Sequence, residues 1–168
     1  MPDKETIEKA MEDKREGKSA STQAGEFVRE EMHHIREGKH GARSTKQAIA
    51  IGLSKARKAG VELRPPKNGA SSPEVRKKAE QDLSDGKRGG TTQKSRTRSR
   101  AVSAALKREG HSAASKKSIA SQARSAARTR GPVARHEAAL KAVTTKGKAG
   151  LKSAARKAAR TRQRERMT

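Results

Sequence analysis

Side chains with metal-ligand chemistry cluster early in the chain: His33, His34 and His40, with Glu30 four residues before His34. Residues four apart share a helix face, so Glu30 and His34 could offer an oxygen and an imidazole nitrogen to one ion. Neither a Cys nor a second well-spaced His pair completes a coordination shell. Solvated or phosphate-contacting histidines are therefore the expectation, with no metal or other cofactor assigned. Gly-Lys pairs at Gly17-Lys18, Gly38-Lys39, Gly86-Lys87 and Gly147-Lys148 do not sit in a G-x-x-x-x-G-K-[ST] loop after an apolar strand. They read as helix stops. No Ser/His/Asp arrangement, carboxylate pair or dinucleotide fingerprint stands out, and large apolar residues are too few to wall off a dry pocket. The expectation is a protein that is not an enzyme.

The chemistry that remains is that of Lys and Arg. The 168 residues hold 42 basic and 18 acidic groups, a formal net charge of +24, which calls for a polyanionic partner. The charge is unevenly placed. Residues 1–64 carry 14 basic and 11 acidic groups, residues 65–85 four of each, and residues 86–168 carry 24 and three. The candidate phosphate contacts therefore lie in the second half. They begin with Lys87, Arg88, Lys94, Arg96, Arg98, Arg100, Lys107, Arg108, Lys116 and Lys117, and continue through Arg124, Arg128, Arg130, Arg135, Lys141, Lys146 and Lys148. Lys152, Arg156, Lys157, Arg160, Arg162, Arg164 and Arg166 complete them. Base readout lacks its usual tools, since Phe27 is the one Phe among no Trp or Tyr, and Asn68 is the one Asn. Phe27 reads better as a core residue. Phosphate contact with little sequence preference is the economical interpretation.

Elements must hold these residues, and the pattern predicts mainly α structure. In residues 1–63, Asp3 can cap a helix through Ile7, Ala10 and Met11 that ends near Gly17. A second helix, about 23–37, puts Val28, Met32 and Ile35 on one face. The third is the clearest: Ser44-Thr45-Lys46-Gln47 fits a capping box, Ile49, Leu53 and Ala56 share a face, and Gly60 can close the helix. Val61 and Leu63 can pack back. So few large apolar residues make this a module of marginal stability. A helical hairpin is a better reading of residues 23–60 than a helix-turn-helix, whose turn is shorter than the segment between Gly38 and Ser44.

Residues 64–100 read as a linker, with Arg64-Pro65-Pro66 and Gly89-Gly90, and with a short helix near 73–83 opened by Ser72-Pro73. Residues 101–168 are an Ala/Lys/Arg-rich tail with an approximate 16-residue period. Ala123, Ala139 and Ala155 correspond, as do Ala126, Ala142 and Ala158. Thr129, Thr145 and Thr161 follow, each before a basic residue. Ala, Lys and Arg favour helix, but like charges at i,i+4 oppose it. A flexible, largely disordered tail that becomes helical on binding is the expectation.

The tail resembles the Ala/Lys/Ser-rich tails of linker histones and bacterial histone-like proteins. Upstream, Glu26-Phe27-Val28-Arg29-Glu30-Glu31-Met32-His33-His34, with Arg36 to Gly41 and Ser44 through Gly60 (STKQAIAIGLSKARKAG), is similar to a bacterial family of unknown function. That resemblance covers about residues 20–63 and implies a small helical module of bacterial origin, with no activity to carry over. The combined expectation is a histone-like, nucleoid-associated protein binding double-stranded DNA. Residues 20–63 would supply a protein contact or weak self-association. The alternatives are an RNA- or ribosome-associated protein and an adaptor whose module binds a protein. Met1-Pro2-Asp3-Lys4-Glu5 lacks signal-peptide character, and the apolar run 48–53 is too short to span a bilayer. No membrane partner and a cytoplasmic location are expected.

Overall fold

A computed structural model describes residues 2–89 and 95–166, with side chains to Arg164. The described residues form helices and no strand: α1 (Lys4–Arg15), α2 (Ala20–Arg36), α3 (Thr45–Lys58), α4 (Pro73–Lys87), α5 (Arg96–Arg108), a 3₁₀ turn (Ser112–Ala114) and α6 (Lys116–Arg166). The chain is mainly α. It divides into two compact units, residues 1–122 and 123–168.

Local chemistry sets the helix starts. The Oγ of Ser19, Ser44, Ser72 and Ser95 each accepts a backbone N–H from three residues on, satisfying a donor that the first turn leaves unpaired. Pro73 occupies the first position of α4. At Ser44 the box is modified, because Gln47 Oε1 accepts from the Arg43 N–H at 2.8 Å. Asp3 stands at the start of α1 but its side chain makes no cap bond. It turns to His34 instead. Gly60 ends α3 with φ +90, a left-handed conformation that costs glycine little, and Val61 then folds back into the core.

In the first unit, α2 and α3 pack closely. A Cβ on Gly52 of α3 would lie 2.8 Å from Val28 Cα of α2, so only glycine permits this approach. One core cluster joins Met32, Ile35, Ala42 and Ala48 to Ala113 and Ala114, with Val28, Ile49 and Ile119 against it. The other joins Ala10, Ala24, Phe27, Ala56 and Val61, with Ile7, Leu53 and Leu63 alongside. Phe27 is a core residue, only 1% exposed.

The unit runs beyond residue 63. The 3₁₀ turn seats Ala113 and Ala114 in the core, where Thr45 Oγ1 donates to the Ala113 carbonyl (2.6 Å) and Arg36 Nε to that of Ala114 (2.8 Å). The N–H groups of Gly41 and Ala42 donate to the carbonyls of Leu106 and Gly110. Helix α4 reaches Lys87 rather than residue 83 and belongs to the same unit. Its Gly86 is no helix stop: it lies inside α4 against the Arg57 carbonyl of α3. Nearby, Asp82 is 1% exposed, accepts from Ser54 Oγ and faces Lys58 and Lys78, each at 3.2 Å. A count of large apolar residues missed these contacts because they are made by Ala, Gly and backbone carbonyls.

A flexible, largely disordered tail is not what the structure contains. Residues 96–108 and 116–166 are helical, as the propensity of Ala, Arg and Lys favours. In the second unit the helix is interrupted at Gly131 (φ 76, ψ 172) and again at Gly147 (φ 64, ψ 172). These breaks are 16 residues apart, and the repeat threonines behave alike: Thr129, Thr145 and Thr161 each donate to the carbonyl four residues back. Gly150, by contrast, remains within helix. Beyond Ala114 no described side chain is buried. In the second unit, propensity rather than packing holds the helix.

Candidate nucleic-acid interface

The predicted phosphate contacts are carried on helices. Lys87 lies in the last turn of α4 and Arg88 caps it; Arg96, Arg98, Arg100, Lys107 and Arg108 lie on α5. The remaining candidates from Lys116 onward lie on α6. All whose side chains are described are exposed. Lys94 and the Arg166 side chain fall outside the described residues.

The second unit holds 14 basic residues against Glu137 and Glu165. In its last helical segment Lys148, Lys152, Arg156, Arg160 and Arg164 recur every fourth residue. At 1.5 Å rise per residue they form a row with about 6 Å between successive charges. A shallow groove of about 680 Å³ lies along this row, lined by Lys152, Ser153, Arg156, Lys157 and Arg160. Four like-charged i,i+4 pairs, each unfavourable by about 0.2–0.5 kcal/mol, oppose the helix by about 1–2 kcal/mol in total. An anion laid along the row relieves that repulsion.

The first unit has a different arrangement. Lys55 is set between two buried glutamates, 3.1 Å from Glu30 Oε1 and 2.7 Å from Glu31 Oε2. Burial works against its charge, but Glu31 and Glu30 outweigh this and hold its pKa above the ordinary lysine value. The three early histidines separate in role. His33 is exposed and pairs with Glu37 at 3.0 Å, so the solvated reading fits it. His34 does not fit that reading. It is buried, with Nε2 3.1 Å from Asp3 Oδ2 and Nδ1 3.8 Å from Glu30 Oε1. The hydrogen bond with His34, and its positive neighbours, hold the Asp3 carboxyl below its ordinary pKa. His40, half-buried, places Nε2 3.4 Å from Glu31 Oε1.

Glu31, His34, His40 and Lys55 line an open groove of about 750 Å³ whose other walls come from α3, α4 and α5. The sequence reading paired Glu30 with His34 and passed over Glu31. The available signal was the Glu31-x-x-His34 spacing, which also shares a helix face. No helix among the described residues is long and apolar enough to cross a membrane. No protein-family model, no curated protein and no solved structure matches the chain.

Proposed function

We propose that this chain is a non-enzymatic, sequence-tolerant nucleic-acid-binding protein of histone-like kind. In this reading the basic helices of 86–168 lie along the phosphates of double-stranded DNA in the bacterial nucleoid. The observation that carries it is the concentration of exposed Lys and Arg on helices with few acidic residues, the row from Lys148 to Arg164 above all. Phosphate neutralisation supplies affinity without base readout. The same neutralisation relieves the like-charge repulsion along these helices, so binding stabilises them.

The first unit, 1–122, carries 16 acidic residues against 28 basic ones, and six of its lysines, Lys9, Lys18, Lys39, Lys55, Lys58 and Lys78, stand in ion pairs. It serves as the place for a protein contact or weak self-association. Membership of the bacterial family similar to residues 20–63 is part of this proposal and rests on the STKQAIAIGLSKARKAG phrase.

The test is binding of the full chain to two unrelated DNA duplexes and one structured RNA, with Lys152, Arg156 and Arg160 all changed to Gln in a second protein. Both duplexes should be bound with similar affinity and weakened alike by the triple change. Base-reading arginines would instead weaken one duplex far more than the other. Preference for the RNA by tenfold or more would move the protein to the RNA-associated reading.

A further inference from the structure

The hydrogen bonds around His34 and His40 fix which ring nitrogen carries the proton in each neutral imidazole. His40 Nδ1 lies 3.1 Å from the Gly41 carbonyl, which can only accept, so Nδ1–H donates and Nε2 is bare. That bare nitrogen faces Glu31 Oε1 at 3.4 Å, acceptor to acceptor. His34 Nε2 likewise donates to the Asp3 carboxylate, which leaves Nδ1 with its lone pair. Glu31 is fully buried, and neither of its carboxylate oxygens receives a hydrogen bond. Lys55 Nζ, 2.7 Å from Oε2, meets the charge of that oxygen, and Oε1 is the one that faces His40.

The His40 Nε2 lone pair and the Oε1 of a buried carboxylate thus meet beside the His34 ring, whose centroid lies 6.3 Å from that of His40. Ligand atoms from Glu31, His34 and His40 lie within 4.8 Å of one another. Tetrahedral ligands about 2.1 Å from an ion stand about 3.4 Å apart, the separation already found between His40 Nε2 and Glu31 Oε1. Asp3 on His34 and the Gly41 carbonyl on His40 act as the outer partners that orient metal-binding imidazoles.

We propose that Glu31, His34 and His40 bind one late first-row divalent cation of the Zn²⁺ class. The N₂O donor set suits such borderline ions better than Mg²⁺ or Ca²⁺, which prefer all-oxygen shells. Three protein ligands leave a fourth position for water. The ion ties the connection between α2 and α3, which carries His40, to the body of α2.

The test uses the full chain, freed of metal with a chelator and titrated with Zn²⁺ by calorimetry and with Co²⁺ by visible absorption. One equivalent of Zn²⁺ should bind saturably, Co²⁺ should give the intense bands of a tetrahedral site, and Zn²⁺ should raise the melting temperature. His40→Ala and His40→Gln, in the connection between α2 and α3, should each weaken binding about tenfold or more. Helix content by circular dichroism shows that the variants remain folded. His33→Ala, at an exposed neighbour paired with Glu37, should bind as the parent does. Absence of saturable one-to-one binding overturns the proposal, as does unchanged affinity in either folded His40 variant.

Discussion

Gly86→Ala distinguishes a free linker helix from one built into the first unit, because the two give effects of opposite sign. In an exposed helix interior, Gly to Ala stabilises by about 0.5–1 kcal/mol. In this fold the added Cβ would lie 1.9 Å from the Arg57 carbonyl oxygen, 3.0 Å from its carbon and 3.3 Å from Gly60 N. All three atoms are backbone and cannot swing aside as a side-chain tip would. Helix α4 must then move off α3 by more than 1 Å, disturbing the contacts of Asp82 with Ser54 and Lys58. Overpacking of this kind costs about 1–3 kcal/mol, which outweighs the propensity gain. For a unit of this size that is a fall of about 5–10 °C in melting temperature. Gly25→Ala is the internal control. It lies within α2 with nothing within 4 Å of the new Cβ, so it should stabilise. Thermal unfolding followed by circular dichroism reads both. A Gly86→Ala protein as stable as Gly25→Ala would refute the packing of α4 on α3.

Asp82→Asn should destabilise by about 1–3 kcal/mol, because Lys58 and Lys78 lose their buried partner. Burial pushes the Asp82 pKa up, but Ser54, Lys78 and Lys58 outweigh it and hold it below the ordinary aspartate value. Its contribution is therefore present above about pH 4 and lost as pH falls through the depressed value. A denaturant series at several pH values should show a flatter acid limb in the Asn variant. Changing both Lys152 and Arg160 to Gln removes every like-charged i,i+4 pair in the row from Lys148 to Arg164. The helix of the free chain should melt at a higher temperature at low salt, and the further rise on adding DNA should shrink; an unchanged melting temperature in both states would contradict the repulsion argument. Purified chain should not hydrolyse nucleotides or esters, and turnover abolished by one point substitution would overturn the non-enzymatic reading.

The elements that sequence reading located best are those defined by local signals. Ser44 with Gln47, Ser72 with Pro73, and Gly60 mark helix ends through bonds made within four residues, and each stands where it was expected. Phe27, Met32 and Ile35 were legible as core because they are large and spaced at helical intervals. The first unit's true extent was not legible. Its later parts are held by Ala113, Ala114, Ala79 and Gly86, small residues indistinguishable in composition from those of the tail. Thr45 and Arg36 bind carbonyls more than sixty residues away, and no periodicity announces such a pairing. The same limit applies to the candidate metal site. Asp3 reads as a helix cap from its neighbours, and no local pattern links Lys55 to Glu31; the fold sets the one beside His34 and the other beside Glu31. In the tail, the repeat was legible and its physical meaning was not. The copies align because each ends in a threonine bonded back to its own helix, and two of them then break at glycine.

The claim that the arm binds phosphate electrostatically is tested most directly by salt titration of the full chain and of a chain ending at Gln122. The cut belongs there because truncation after Gly86 would also remove Ala113 and Ala114 from the core. Of the 24 basic residues in 86–168, 14 lie beyond Gln122. If the full chain neutralises about eight phosphates, log K should fall with log salt at a slope of about −7 on each of two unrelated duplexes. Losing those 14 residues should flatten the slope to about −3 and weaken binding to both duplexes alike. A chain ending at Gln122 that retained the full affinity and slope would contradict the account.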